Sequence, residues 1–394
     1  MDYDVAIVGA GPAGSTAAKH LVEKGLKVIL IDKEKFPRNK HCGGGLPLKV
    51  LKQFDYLEKN NLIESYTYGG FLYSSSLKYV IDVKKEIPII AMIRRMKFDN
   101  DLVKLAIKGG AEFIDGKKVV DIKIKPDKAI VKLNDNTEIE SKIIIGSDGV
   151  WSTVAEKAGL RPGETKVNMA LYCEFPMTNK QMDQYFTDKR YGHMHIKVLG
   201  IEGYGWVFPK KEHVNIGIGV VGETKEKNLK KNLNNYIQLL IDNSIIPADV
   251  NIGEIKGAAL PKKPLDKTYA ERIILCGDAA GLINPFSGEG IDYAMYSARL
   301  AAEITYNSIE KRDYSSKFLS KYEKKWKKDF GKDIKLFLMM VKRLRSTKEK
   351  YIQLVSQDQK LSDLLLEIAC GNLGVSQNKW KLIRRILFVT FSQA

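Results

Sequence analysis

A chain of 394 residues is too long for one small core and points to two or three domains, and its 44% hydrophobic and 28% charged content is that of a soluble globular protein. No uninterrupted apolar run approaches the ~18 residues needed to span a bilayer. The net charge of +17 is unevenly placed: residues 311–350 hold fifteen cations against five acids, more than half of the excess. Such a surface either attracts an anionic membrane, nucleic acid or an acidic protein, or is a solvated lysine-rich helix face. No recognised nucleic-acid module accompanies it, so a nucleic-acid partner is not expected.

Cys42, Cys173, Cys276 and Cys370 are widely spaced with no CxxC or His-Cys pattern, which argues against a disulfide framework or a metal site and for a reducing, cytoplasmic setting. A strand directly after Met1 leaves no room for a signal peptide.

Residues 4–8 form an apolar strand, and Gly9-Ala10-Gly11-Pro12-Ala13-Gly14 follows at once, opening a helix that runs to about residue 24. Residues 27–31 form a second strand that ends in Asp32, twenty-three positions after Gly9. This is the dinucleotide fingerprint in its required βαβ context. Gly9 permits the tight turn, Gly11 lets the backbone approach a pyrophosphate, Gly14 allows close helix packing, and Asp32 accepts hydrogen bonds from a ribose.

His41-Cys42-Gly43-Gly44-Gly45 comes next. Three successive glycines cost backbone entropy and pack nothing, so they point to close approach of a planar ligand. Cys42 is either a redox or proton-transfer group or a small buried thiol. Strand patterns occupy residues 69–93, and Arg95 opens a helix. Residues 111–124 return as a strand, a small meander passes through Ile130 and Ile139, and residues 142–145 form an apolar strand closing with Gly146-Ser147-Asp148-Gly149.

From 165 to 264 the pattern is mostly strands, with one helix over 228–241. Tyr204, Trp206 and Phe208 alternate along one strand and share a face, either as a pocket wall or as sheet core. Residues 272–291 read as strand, loop and helix. The strand delivers Asp278 to the carboxyl edge of a sheet, and free N–H groups at the start of the helix face the ligand. The chain beyond 310 is helical and basic. Residues 379–389 mix cations with bulky apolar groups, either as a membrane-surface helix or as one packed on its own protein.

Three strand-end motifs, at 9–14, 146–149 and 277–278, come from distant parts of the chain. A dehydrogenase binding only nicotinamide explains the first alone; a long, permanently bound dinucleotide explains all three.

On these residues the chain resembles the para-hydroxybenzoate hydroxylase-type FAD proteins, and within them the geranylgeranyl reductase family, archaeal digeranylgeranylglycerophospholipid branch. The likeness covers residues 1 to about 310. Its marks are the Cys42-Gly43-Gly44-Gly45 loop, the segment from Gly277-Asp278 through Asn284-Pro285 to Gly290-Ile291, and the YxWxFP motif at Tyr204 to Pro209 followed by Gly217-Ile218-Gly219. The family motif begins with a proline where this chain has Ile201.

The resemblance implies an α/β fold of mixed α+β character: a Rossmann-like FAD-binding domain (1–68, 95–164 and 265–310), an inserted antiparallel-sheet substrate domain (69–94 and 165–264) and a basic helical C-terminal region (311–394). It implies FAD held by Gly9, Gly11, Ala13, Gly14 and Asp32, with Arg95 and Asp278 near the pyrophosphate or ribityl, Val119 over the adenine, and Gly290 and Ile291 presenting N–H groups to the isoalloxazine. Cys42, Gly43 and Gly45 would lie against the flavin, and Tyr204, Trp206, Phe208 and Pro209 would line the substrate pocket. Asp148 is expected to brace the fold.

The implied reaction saturates geranylgeranyl double bonds of a glycerophospholipid with hydride from reduced flavin N5, and Cys42 and Tyr204 are the candidate proton sources. Implied partners are a low-potential donor such as ferredoxin and an anionic membrane surface, with the protein cytoplasmic and peripheral on the inner face of the membrane. The rivals are a flavin monooxygenase or halogenase and a prenyl-lipid-binding protein without redox chemistry.

Overall fold

Runs of Val and Ile that alternate with no polar residue cannot face water on either side, and in the first part of this protein they make a parallel sheet. The structure is a computed structural model that describes residues 2–161, 163, 166–220, 228–344 and 349–391, so Arg345 and Lys348 of the basic run lie outside the described residues. The chain divides into two units.

The first unit comprises Met1–Lys40, Arg95–Lys166 and Pro261–Lys335. Tyr3–Val8 is the central strand, paired in parallel with Val28–Ile31 on one side and Glu138–Gly146 on the other. Glu112–Ile114 extends the sheet beyond the former and Ile273–Leu275 beyond the latter, both in parallel. Val8 stands opposite both Ile31 and Gly146, and Gly146 opposite Leu275. This register brings the residues that follow the strands, Gly9, Asp32, Ser147 and Cys276, to one edge.

The expected strand over 111–124 is two. A turn with Gly116 at φ +69 separates Glu112–Ile114 from Val119–Ile124, which pairs antiparallel with Ala129–Leu133. Residues 311–335 belong to this unit. The helix Ser316–Trp326 is tied down by the Tyr322 hydroxyl, which donates to the carbonyl of Leu275 at 2.8 Å, and by Trp326 Nε1, which donates to Thr268 Oγ1 at 3.0 Å.

The second unit comprises His41–Arg94, Val167–Leu260 and Leu336–Ala394. Its sheet runs Lys256–Pro261, Val167–Pro176, His213–Val220, Gly203–Pro209, Gly192–Ile196, Gly69–Tyr73, Val80–Lys84, with Gly192–Ile196 and Gly69–Tyr73 paired in parallel. Residues 41–68 fall here, because Gly45–Pro47 and Ser65–Thr67 both pair with Ile90–Met92.

The helix Leu229–Asp242, capped by the Asn228 side chain, buries Leu233, Tyr236, Ile237 and Leu240 in one cluster with Val207, Val214, Ile216 and Ile218 of the sheet. Ile201, which stands where the family has proline, is buried in the same cluster and supplies apolar volume there. Ile81 and Val83 on the edge strand Val80–Lys84 are covered by Val355, Leu361 and Val389 from the C-terminal helices, which buries that face of the strand. Among the described residues no helix is long and apolar enough to cross a membrane.

Candidate functional site

In the first unit the turn after Tyr3–Val8 leaves no room for side chains. Gly9 sits at φ +97, and a Cβ there would come 2.4 Å from the carbonyl oxygen of Ser147. A Cβ on Gly14 would stand 1.8 Å from the Gly9 carbonyl oxygen, so only glycine lets the helix Pro12–Val22 begin so close to the strand end. Gly11 differs: its nearest neighbour would be Arg38 Nη2 at 3.7 Å, and the side facing out from the helix start is open.

Asp32 is buried and accepts hydrogen bonds from the N–H groups of Ala10 (2.7 Å) and Glu34 (2.9 Å). Its carboxylate is thereby fixed, with lone pairs left for a sugar hydroxyl. Arg95 donates twice to the fully buried Asp99, at 2.7 and 2.8 Å, and Arg38 Nη1 lies 3.0 Å from the same carboxylate. Arg38 Nη1 is nevertheless a buried donor with no aligned hydrogen bond.

Lys40 and Asp278 complete the cluster. Burial lowers the Lys40 ammonium, with Arg95 adding to the effect and Asp278 opposing it. Burial raises the Asp278 carboxyl, and Lys40 and Arg95 pull it back. Asp278 Oδ1 would stand 3.4 Å from a Cβ at Gly290, the N-cap of the helix Ile291–Lys311. The N–H groups of Gly290 and Ile291 have no acceptor within that helix. The preceding loop is held by Asn284 Oδ1, which accepts from the N–H of Phe286 (2.9 Å), and by Glu289 Oε1, which accepts from Asp292 N (2.8 Å).

An open helix N-terminus at Gly11, an unaligned buried guanidinium donor at Arg38 and a fixed ribose acceptor at Asp32 are the groups a dinucleotide pyrophosphate and sugar require. The unit therefore fits FAD. Val119 is buried at the start of its strand. Asp148 is spent on structure: it accepts from Ser152 Oγ and from Val154 N, at the start of a short helix.

In the second unit, Tyr204, Trp206 and Phe208 lie on the sheet face opposite the helix Leu229–Asp242, in a cluster with Ala170, Tyr172 and Leu260. A Cβ on Gly217 would come 2.1 Å from Trp206 Cζ2, so the glycine across the strand pair lets the indole lie flat. Trp206 Nε1 donates to Asn215 Oδ1 at 2.8 Å.

The His41 to Gly45 loop is laid on this face. His41 Nδ1 is 3.0 Å from the Tyr172 hydroxyl, Asn215 Nδ2 donates to the Cys42 carbonyl at 3.4 Å, and a Cβ on Gly43 would touch Phe208 Cδ2 at 3.0 Å. Gly44, at φ +81, has the Ile93 carbonyl oxygen 2.3 Å from where a Cβ would be, and the buried Lys210, paired with Glu174 at 2.7 Å, lies beside it. Contacts within the protein therefore already require glycine at 44, a Cβ on Gly43 would need the Phe208 ring to give by a few tenths of an ångström, and one on Gly45 would meet only Ile90 Cγ2 at 3.4 Å. Burial around its hydroxyl, with the Cys42 thiol a lesser contributor, raises the Tyr204 phenol above its ordinary value. Pro209 is buried at the end of the same strand.

The first unit thus gathers Gly9, Gly11, Ala13, Gly14, Asp32, Arg95, Val119, Asp278, Gly290 and Ile291, and the second gathers Cys42, Gly43, Gly45, Tyr204, Trp206, Phe208 and Pro209. Arg38, Lys40, Asn215 and Lys210 were not singled out from the sequence. Arg38 and Lys40 follow the strand ending in Asp32, and cations at that place were the available signal. Asn215 and Lys210 flank the YxWxFP strand but carried no motif of their own.

A parallel sheet whose strand ends carry an anion cradle defines a dinucleotide-binding protein. The family model for the FAD binding domain matches residues 2–326. A digeranylgeranylglycerophospholipid reductase of Methanocaldococcus jannaschii is 31% identical over 334 residues, 82% of each chain, and this chain belongs to that reductase family. The structure of a geranylgeranyl bacteriochlorophyll reductase-like protein from Thermoplasma acidophilum is similar over 98% of this chain and 99% of its own, with a TM-score of 0.80 at 26% identity. A flavin-dependent brominase shares the fold at 19% identity, with a TM-score of 0.75 over 99% of this chain and 98% of its own.

Proposed function

We propose that the protein is an FAD-dependent reductase that saturates the isolated double bonds of geranylgeranyl chains on archaeal-type glycerophospholipids. The observation that carries this reading is the Cys42 loop laid on an aromatic strand face, in a chain that also holds an FAD cradle and belongs to the reductase family. Kinship at 31% identity favours it over a halogenase or monooxygenase, for which the likeness is one of fold.

Asp32 and the Gly11 turn would hold the adenosine and pyrophosphate end, Arg38, Lys40 and Arg95 would offset the phosphate charge, and Gly290 and Ile291 would donate N–H groups to the ring system. When bound and reduced, FAD would supply a hydride, one hydrogen with its two electrons, to one alkene carbon. An unactivated alkene accepts it only if a proton reaches the other carbon. Tyr204 and Cys42 are the candidate sources. The raised Tyr204 phenol keeps its proton at Oη throughout neutral pH. Trp206 and Phe208 would exclude water and align the chain, which a flexible isoprenoid cannot do for itself.

The reductant would be a low-potential donor such as ferredoxin, attracted to the cations of the helix Ser316–Trp326. The setting would be cytoplasmic, with the protein peripheral on the inner face of the membrane. The test is product analysis: dithionite-reduced protein incubated without oxygen with digeranylgeranylglycerophospholipid should add about two mass units per double bond. Unchanged lipid, with the flavin bound and reduced, would refute the assignment.

A further inference from the structure

The C-terminal helix Val375–Phe391 carries apolar residues on two opposite faces. Leu382, Ile386 and Val389 turn inward against Ile81 and Val83. Trp380, Ile383, Leu387 and Phe391 recur at helical spacing on the other side and are 64%, 43%, 49% and 74% exposed. With Phe388 they make five of the fifteen large hydrophobic side chains exposed among the described residues, so this one helix concentrates a third of them.

The charges on the helix are of one sign. Lys379, Lys381, Arg384 and Arg385 are its ionisable residues, and it holds no acid. Arg385 is spent on Asp358, whereas Lys379, Lys381 and Arg384 are exposed, and the Lys379 ammonium lies over the Trp380 ring at 5.2 Å. Long cationic side chains bank an apolar stripe in this way where the stripe enters a lipid surface and the ammonium groups reach the headgroups. A second copy of the chain would set these cations against the same cations, which disfavours a dimer on this face.

We propose that the outward face of Val375–Phe391 is the surface on which the protein lies on an anionic bilayer, with Trp380, Ile383, Leu387 and Phe391 entering the acyl boundary and Lys379, Lys381 and Arg384 at the phosphates. This rests on the reading that the substrate is a membrane lipid, and it assigns the element that brings the enzyme to that lipid. The helix anchors without spanning.

The FAD-loaded full-length protein should float with vesicles of phosphatidylglycerol in phosphatidylcholine, and far less with phosphatidylcholine alone or at high salt. Trp380→Ser with Leu387→Ser should weaken partitioning about tenfold or more, and Lys379→Glu with Lys381→Glu should abolish the preference for anionic vesicles. Both variants should reduce detergent-dispersed digeranylgeranylglycerophospholipid at the wild-type rate. Wild-type protein that stays with the pellet, or variants that float as wild type does, would overturn the proposal. So would sedimentation velocity showing a wild-type dimer that Trp380→Ser with Leu387→Ser dissociates. Wild-type flotation without lipid reduction in detergent would uphold the surface and refute the substrate instead.

Discussion

The two units handle buried polarity in opposite ways. The first draws three cations, Arg38, Lys40 and Arg95, around three carboxylates, Asp32, Asp99 and Asp278, and shifts Lys40 and Asp278 by burial. Apart from the buried Lys210–Glu174 pair beside Gly44, the second keeps its candidate face aromatic, and its deeply buried histidines neutral: burial pushes His193 down to about 4 and His195 down to about 3. Fixed charges suit an anionic dinucleotide that stays bound. A neutral aromatic wall suits an apolar chain that must come and go. The comparison predicts that cofactor retention and substrate turnover should be separable by mutation.

The strongest break comes at Gly14. With a Cβ 1.8 Å from the Gly9 carbonyl oxygen, Gly14→Val should yield colourless protein, read from visible absorbance. Next is Tyr204→Phe, which should lower kcat roughly 100-fold if the phenol is the proton source, with flavin content unchanged. An unaffected Tyr204→Phe beside a crippled Cys42→Ala would move that role to the thiol. Asp32→Ala releases the N–H groups of Ala10 and Glu34 and removes the ribose acceptor, so FAD affinity by fluorescence titration should fall about 10- to 100-fold. Phe208→Ala should raise KM for the lipid about tenfold and leave flavin affinity alone, which sharpens the contrast between the units.

The effect of pH is read in stability, not in activity. Tyr73 stacks on His195 at 4.4 Å between ring centroids, the Tyr236 hydroxyl lies 2.8 Å from His195 Nδ1, and the Tyr73 hydroxyl lies 3.1 Å from His193 Nδ1. The folded values lie below the ordinary 6.5, so below that pH the unfolded chain binds more protons. Stability present above pH 6.5 is therefore lost as pH falls toward 4 and 3, by at most about 1.4 kcal/mol per pH unit for each histidine. Thermal melts between pH 7 and 4 should show the decline, and His195→Phe, which removes one of four histidines lowered by burial, should flatten part of it.

Much of the first unit was legible because its residues are local: the glycine turn, the strand before it and Asp32 fall within one βαβ stretch, and strand ends at Gly146 and Gly277 announce themselves by apolar runs stopping at glycine. The helix at Leu229–Asp242 and the shared face of Tyr204, Trp206 and Phe208 follow from periodicity for the same reason. Register between distant segments carries no such signal. That the Cys42 loop lies on Asn215 and Phe208, or that residues 41–68 pair with Ile90–Met92, depends on pairings no local pattern encodes. Arg38 and Lys40 look like ordinary loop cations until Asp99, beyond the whole of residues 41–94 in sequence, is brought beside them. Glycines 43 to 45 were read as room for a ligand, and for Gly44 the carbonyl of Ile93 supplies a reason of its own.

The most direct test of the central claim is single-turnover flavin oxidation without oxygen. Protein reduced by dithionite, freed of excess reductant and mixed with digeranylgeranylglycerophospholipid should regain its oxidised flavin spectrum in step with saturation of the lipid, and Phe208→Ala should slow that step at limiting lipid. A flavin that stays reduced with the lipid yet reoxidises promptly on adding oxygen and an aromatic compound would contradict the account and identify an oxygen-using enzyme on the same fold.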